Sequence, residues 1–357
     1  PYDLFGRALR VLGDLELVGV PEIGSGAVWD DDGGSNRGAY WILFMNRDGT
    51  VKAWNKLSSS SGNFWLTPLS SYGEFGFDCV VLGDRDGDGI QDIAISSPDQ
   101  KTDGNQQGAV FVVYMNRNGS AKAITRITEN YAGFNGTMLD FNDEFGCALD
   151  SVGDLDGDGI EDLAVGAGKD DDGPAGSFDR GALYILFLNA NATVKGWQKI
   201  SRTTGRFYAN IDNADRFGTS LCSPLDLNGD GIEDLFAGSR FDDDAGSGSG
   251  SLYFLALNDG SFTPPEAKFT FAPGRGKAPH AVQFTDSSGG TVTSWAWDFG
   301  DGAASTERNP NHVYTAVGLK TVTLTVRCPA GSHQRVRTNI IKVDPPGWWV
   351  GHSLNPV

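Results

Sequence analysis

The chain has 357 residues and carries 46 Asp and Glu against 28 Lys and Arg, a formal charge of −18. That balance excludes the basic footprint a nucleic-acid binder needs, and the clustering of the acids suggests bound cations. Apolar residues are 39% of the chain, enough for the cores of two or more domains. No apolar run reaches the roughly 18 residues of a membrane-spanning helix, and the four Cys include no CxxC pair of the kind found in zinc or redox sites. The opening Pro1-Tyr2-Asp3 reads as a processed form or a fragment.

From the N-terminus a unit of about seventy residues repeats. A Phe-Gly pair stands at Phe5-Gly6, Phe75-Gly76, Phe145-Gly146 and Phe217-Gly218, and nine residues after each Phe comes an Asp: Asp14, Asp84, Asp154 and Asp226. A second acidic loop follows at Asp30-Asp31-Asp32, Asp170-Asp171-Asp172 and Asp242-Asp243-Asp244, and is read as an exposed turn. Next come the apolar runs GAYWILFMN, GAVFVVYMN, GALYILFLN and GSLYFLALN, and in the first three repeats a closing segment, VKAWNKL, AKAITRI or VKGWQKI. Each unit therefore predicts about four short strands separated by Gly/Asp/Asn turns. No window sustains a 3.6-residue apolar period, so few helices are expected. A unit this small cannot bury both faces of its sheet alone; stacking neighbours face to face does so, as in a propeller. The expected repeats are approximately 1–70, 71–140, 141–212 and 213–262. Repeat four enters Pro264-Pro265 where its closing segment should stand, which predicts a three-stranded blade with an open edge.

The sharpest chemistry follows the first strand of repeats two to four: DRDGDGIQD, DLDGDGIED and DLNGDGIED. Positions 1, 3, 5 and 9 carry oxygen side chains: Asp84, Asp86, Asp88 and Asp92; Asp154, Asp156, Asp158 and Asp162; Asp226, Asn228, Asp230 and Asp234. Ile90, Ile160 and Ile232, at position 7, can add a backbone carbonyl, and Gly at positions 4 and 6 allows a tight wrap. Hard oxygens in this number suit Ca²⁺ better than Mg²⁺, so about three calcium ions are expected. An EF-hand would place Glu at position 12, where this chain has Ile95, Val165 or Ala237. A solvated Asp/Gly turn would carry similar residues, but three such loops in register weigh against it. Repeat one has Leu17 and Val18 at positions 4 and 5 and Glu16 and Glu22 at positions 3 and 9, and is expected to hold no calcium.

Phe-Gly, then GDLDGDGIEDLAVGA, then RGALYILFLN resembles the FG-GAP repeat of integrin α-subunit propellers over about residues 1–262. The resemblance implies calcium on one face of the propeller and a role in adhesion or assembly outside the cell or at its surface. Integrin-type propellers usually have seven blades, whereas four repeats are visible here. Over residues 265–344, Trp295-Ala296-Trp297-Asp298-Phe299-Gly300-Asp301-Gly302, then Asn309-Pro310-Asn311-His312-Val313-Tyr314, then TVTLTV resembles a PKD (polycystic-kidney-disease-type) domain, an immunoglobulin-like β-sandwich. Trp297 is expected in its core, with Asp298, Asp301, Gly302 and His312 shaping turns. Thr263-Pro264-Pro265 reads as a short stiff linker. The expected fold class is thus all-β: about four propeller-like blades and a β-sandwich.

No GxSxG, HExxH or phosphate-binding Gly loop is present, and the four His are scattered over the last part of the chain. Two readings stay open. One is a non-catalytic extracellular adhesion or structural-assembly protein, partnered by itself, another extracellular protein or a glycan, and able to assemble head-to-tail into a filament. The other is an accessory, glycan-binding region of a secreted hydrolytic enzyme. Asn118, Asn135 and Asn191 are N-glycosylation sequons. Cys147 and Cys222 lie at offsets that face opposite sides of their strands, which leaves open both a disulfide across blades three and four and buried free thiols. Trp348 and Trp349, in the tail 345–357, leave open a docking segment for another subunit, a tail folded back on its own PKD-like domain, and a cut from a longer chain.

Overall fold

The computed structural model describes residues 2–64, 68–136, 139–172, 176–205, 207, 209–244, 246–257, 265–290, 292, 294–328 and 331–346. Trp348, Trp349 and residues 263–264 of the linker lie outside them. No α-helix occurs among the described residues, and none is present that is long and apolar enough to cross a membrane. The larger unit holds Pro1–Leu227 and Gly231–Leu255, and the smaller one Asn228–Asp230 and Ala256–Val357.

The larger unit consists of four antiparallel, propeller-like blades. Blade one runs β1 (Phe5–Gly13), β2 (Glu22–Ala27), β3 (Ala39–Met45) and β4 (Val51–Leu57), paired in that order. Blade two pairs β5 (Cys79–Val81), β6 (Ile93–Ser97), β9 (Ala109–Met115) and β10 (Ala121–Ile127), and a small hairpin of β7 (Lys101–Thr102) and β8 (Asn105–Gln106) replaces its second acidic loop. Blade three pairs β11 (Phe145–Ser151), β12 (Leu163–Ala167), β13 (Ala182–Leu188) and β14 (Val194–Ile200). Among the described residues blade four has three strands, β15 (Phe217–Leu225), β16 (Asp234–Ser239) and β17 (Ser251–Leu255). The cores lie between adjacent sheets: Val110, Val112 and Tyr114 of blade two pack with Leu149, Val165 and Tyr184 of blade three. A central strand covered on both faces must be apolar throughout, and β9 is buried at every position.

The Phe-Gly pair explains how blades join. The Phe75, Phe145 and Phe217 amides donate to the Arg37, Gln107 and Arg180 carbonyls of the preceding blade at 3.1, 3.0 and 2.8 Å. Each Phe forms a parallel bridge with the glycine just before that blade's third strand, Gly38, Gly108 or Gly181. A Cβ on any of these glycines would stand 2.1–2.2 Å from the Phe carbonyl oxygen, so backbone meets backbone with no room for a side chain. The three rings complete aromatic clusters, Phe64–Phe75–Phe111, Phe134–Phe145–Tyr184 and Phe207–Phe217–Tyr253, with centroids 4.6–5.7 Å apart. Among the described residues the Phe5 ring meets Trp41 alone, at 6.2 Å, and is 58% exposed, whereas the other three Phe are fully buried.

The smaller unit is a β-sandwich. One sheet orders β18 (Phe269–Ala272), β20 (His280–Asp286) and β23 (Asn311–Tyr314). The other orders β19 (Arg275–Lys277), β25 (Gly331–Asp344), β24 (Gly318–Cys328), β21 (Ser294–Asp298) and β22 (Ala304–Ser305). Trp297 is buried among Phe284, Phe299 and Leu324, and its indole donates to the Glu307 carbonyl at 2.9 Å. His312 stacks on Phe299 with centroids 4.2 Å apart and bonds Asp301 Oδ2 at 2.8 Å, a structural role.

If the glycine joints hold the blades together, Gly108→Ala should cost at least about 3 kcal/mol, combining left-handed strain with a displaced backbone. Gly49→Ala, also at positive φ but with open space around its Cβ, should cost only about 1–2 kcal/mol. Denaturant unfolding of both variants compares them; equal losses would remove the joint from the account.

Candidate metal centres

Each acidic loop after a first strand is closed at its base. In blade two the Leu82 amide donates to the Asp92 carbonyl at 2.8 Å and the Asp92 amide to the Gly83 carbonyl at 2.7 Å, and Val152, Asp162 and Gly153 repeat the pattern in blade three. The position-1 carboxylate organises the turn. Asp84 accepts the amides of Gly87, Asp88 and Gly89 at 2.7–3.1 Å; Asp154 accepts those of Asp158 and Gly159, and Asp226 that of Gly231. These bonds need the left-handed glycines at positions 4 and 6, such as Gly87 (φ 77) and Gly89 (φ 85).

The position-9 carboxylate is buried beneath the loop. Asp92 accepts the Arg85 and Met115 amides at 3.0 and 2.9 Å, and Asp162 those of Leu155 and Leu188 at 3.1 and 2.9 Å. Burial first, then the charge of neighbouring acids, pushes both up to about 6. An environment that disfavours an isolated negative charge favours one shared with a cation. Oxygens of Asp84, Asp86 and Asp88 lie within 4.8 Å of one another, as do those of Asp154, Asp156 and Asp162. An all-oxygen set of this density fits a hard divalent ion. In blade four Asn228 stands where the others have a second carboxylate, and its Oδ1 takes the Asp230 amide at 2.9 Å.

Two features escape a reading of the loops alone. The first is a lysine at the start of each fourth strand. Lys122 Nζ lies 2.6 Å from Asp86 Oδ2 and 2.8 Å from Asp88 Oδ2; Lys195 pairs with Asp156 at 2.7 Å and also with Asp158; Lys52 pairs with Glu16 in blade one. The signal for it is the shared second residue of VKAWNKL, AKAITRI and VKGWQKI. Blade one keeps the loop frame, with Asp14 accepting the Val18 and Gly19 amides at 2.9 and 2.6 Å, yet it has Leu17 at φ 59 in place of a glycine and an ion pair among its acids. The second feature is Arg85, whose guanidinium crosses to blade three and donates to the Glu161 and Asn189 carbonyls at 3.0 and 2.8 Å.

The second acidic loops are not simply exposed turns. Asp30, Asp170 and Asp242 are buried, each accepting the amide two residues on at 2.9–3.1 Å. Lys56 bridges Asp30 and Asp32 at 2.7 and 2.6 Å, and Lys199 bridges Asp170 and Asp172 at 2.9 and 3.2 Å. The sixth residue of the fourth strand makes this burial tolerable, because a buried carboxylate needs a partner. Nearby Asp143 is buried too, and burial followed by the charge of Asp170 pushes it up to about 8.

Cys147 and Cys222 are not bonded. The Cys147 thiol is buried, donates to the Gly218 carbonyl at 3.5 Å and accepts the Gly168 amide at 3.2 Å, while Cys222 is exposed. Burial pushes the Cys147 thiol up to about 12, well away from reactivity. Asn118, Asn135 and Asn191 are all exposed; the Asn118 and Asn191 side chains accept the Ser120 and Thr193 hydroxyls at 2.8 and 2.7 Å.

Comparison with known proteins finds both resemblances. An FG-GAP repeat matches residues 217–255 and a PKD domain residues 263–343. Integrin alpha-PS2 of Drosophila melanogaster is 34% identical over 171 residues, covering 47% of this chain and 11% of that protein. Human integrin alpha-6 is 31% identical over 169 residues, covering 47% and 13%. Collagenase ColA of Bacillus cereus is 42% identical over 78 residues, covering 20% and 8%. The chain thus spans a small fraction of the length of these relatives.

Asp143 supplies a pH test. Its folded value lies above the unfolded one, so the stability of the protonated form is full below about pH 4 and is lost as pH rises through about 8. Asp143→Asn should therefore gain on the wild type across that window, at up to about 1.4 kcal/mol per pH unit, and level off above it. Paired denaturant titrations at fixed metal concentration read this; a gap independent of pH would contradict it.

Proposed function

We propose that this chain is a non-catalytic, calcium-binding adhesion or assembly module that works outside the cell. The clustering of loop carboxylates in two blades, positions 1, 3 and 5 in blade two and positions 1, 3 and 9 in blade three, each with a buried position-9 Asp, carries the reading. Asp84, Asp86, Asp88 and Asp92, with the Ile90 carbonyl, form one site. Asp154, Asp156, Asp158 and Asp162 with Ile160 form the second, and Asp226, Asn228, Asp230 and Asp234 with Ile232 the third. Bound calcium would neutralise the crowded loop acids and stiffen the blade edge. The chain's own groups do the rest: position-1 Asp shapes the loop, position-9 Asp anchors it to the next strand, and the fourth-strand lysine holds the outer acids while no ion is bound. The repeats and PKD-like domain occupy residues 1–262 and 265–344 in this reading, and partners are another extracellular protein, a glycan or a second copy.

A second reading, an accessory region of a secreted hydrolase, is favoured by the match to a bacterial collagenase over 78 residues. Retention on polysaccharide or collagen matrices without self-association would select it, and ordered self-association would select the first.

Metal analysis after dialysis against millimolar calcium should find about three ions per chain, and Asp156→Ala one fewer. Calcium at a hundred times its dissociation constant should add about 2.7 kcal/mol of stability per site, lost with chelator. Lys195→Met should tighten calcium binding at its loop by roughly threefold to tenfold, because the ion no longer competes with an ion pair. No bound calcium would sink the reading, and an unchanged affinity in Lys195→Met would sink the role of the lysine.

A further inference from the structure

Blade four repeats half of an arrangement that blades one and three complete. In those blades the sixth residue of the fourth strand, Lys56 or Lys199, is the counter-ion of the buried Asp30 or Asp170. Its ammonium also lies over the aromatic ring of the neighbouring strand, 4.9 Å from Trp41 or 5.6 Å from Tyr184. The Tyr184 hydroxyl donates to Asp170 at 2.9 Å, and the Tyr253 hydroxyl donates to Asp242 at 2.6 Å in the same way. Asp242 is 1% exposed, and no Lys or Arg among the described residues pairs with it. The outer edge of β17 carries no strand among the described residues either.

We propose that the outer edge of β17 is a docking site for an extended strand of a partner polypeptide bearing a Lys or Arg aimed at Asp242. The register follows from blade three, where Leu183 faces Ile200, Tyr184 faces Lys199 and Leu186 faces Trp197. An incoming antiparallel strand therefore sets its basic residue opposite Tyr253, an aliphatic residue opposite Leu252 and a large apolar residue opposite Leu255. The last position matches Trp197, which packs against Phe134 and Tyr184 at 5.9 and 6.1 Å; Phe207 and Tyr253 hold the equivalent places in blade four. Main-chain bonds along the open edge supply affinity, and the buried carboxylate supplies selectivity for a cation. Neither 258–264 nor 345–357 contains a Lys or Arg to set against Asp242, and the three matching segments are already paired in blades one to three. The inference names a partner for the adhesion and assembly reading and rests on it in that respect, but it needs no metal.

The test uses the full chain and a labelled peptide, VKGWQKI, the sequence of residues 194–200. It should bind saturably and slow amide exchange across Ser251–Leu255. The peptide VKGWQEI should bind at least about tenfold more weakly, and Asp242→Asn should weaken VKGWQKI by a similar factor without weakening VKGWQEI. Equal affinity of the two peptides, no binding at about 1 mM, or protection elsewhere would overturn the proposal. So would β17 amides that are already as slow as those of β12 in the protein alone, since the edge would then be occupied by the chain itself or by a second copy. Metal counts measured in parallel keep a failure here separate from a failure of the calcium reading.

Discussion

Everything in the larger unit hangs on the backbone joint between each Phe-Gly pair and the glycine of the blade before it. The contact fixes spacing, because no side chain fits between Gly108 and Phe145. It also fixes direction, because the Phe145 amide and the parallel bridge accept one orientation. The ring then drops into an aromatic cluster assembled from three separate stretches of chain. Since the acidic loop opens nine residues after the Phe, the joint also sets where each candidate metal centre stands.

The fourth strand reconciles an acidic chain with a packed fold. Alternate residues of a strand share a face, so positions four and six of VKGWQKI point the same way, while position two lies at a register shift. Lys195 reaches the first-loop acids, Trp197 fills the aromatic cluster and Lys199 neutralises a buried Asp. One seven-residue segment thereby serves the two acidic loops that flank β12. In blade two Arg126 instead lies over Tyr131, at 4.6 Å, and Gln100 occupies the buried place taken elsewhere by Asp. An uncharged acceptor needs no ammonium, so the exchange is consistent.

Four blades are legible in the period of the Phe-Gly pairs and in the Asp-x-Asp-x-Asp spacing, because both are local patterns contained within a few residues. Trp297 as a core residue and a structural role for His312 are legible for the same reason, each sitting in a short string, although His312 stands in β23 and not in a turn. The lysines are not. Lys122 finds Asp86 and Asp88 only after three strands have been laid side by side, and nothing near it in sequence marks it as paired. The burial of Asp30, Asp170 and Asp242 is hidden because three consecutive acids look solvated; for Asp30 and Asp170 it is an ammonium across the sheet that makes the interior position stable. The cysteines mislead differently. Strand parity gives the faces of Cys147 and Cys222 but not their depth, and one is buried while the other is exposed.

Arg85 occupies a place held by Leu15, Leu155 and Leu227 in the other blades. Its amide is tied to its own loop through Asp92, and its guanidinium to the carbonyls of Glu161 and Asn189 next door. Glu161 immediately precedes Asp162, so the rims of blades two and three share a single strut. A pull applied to one rim is therefore delivered to the other directly, without first shearing the sheets. Leu15, Leu155 and Leu227 have no such reach, so this guanidinium link is particular to the rims of blades two and three.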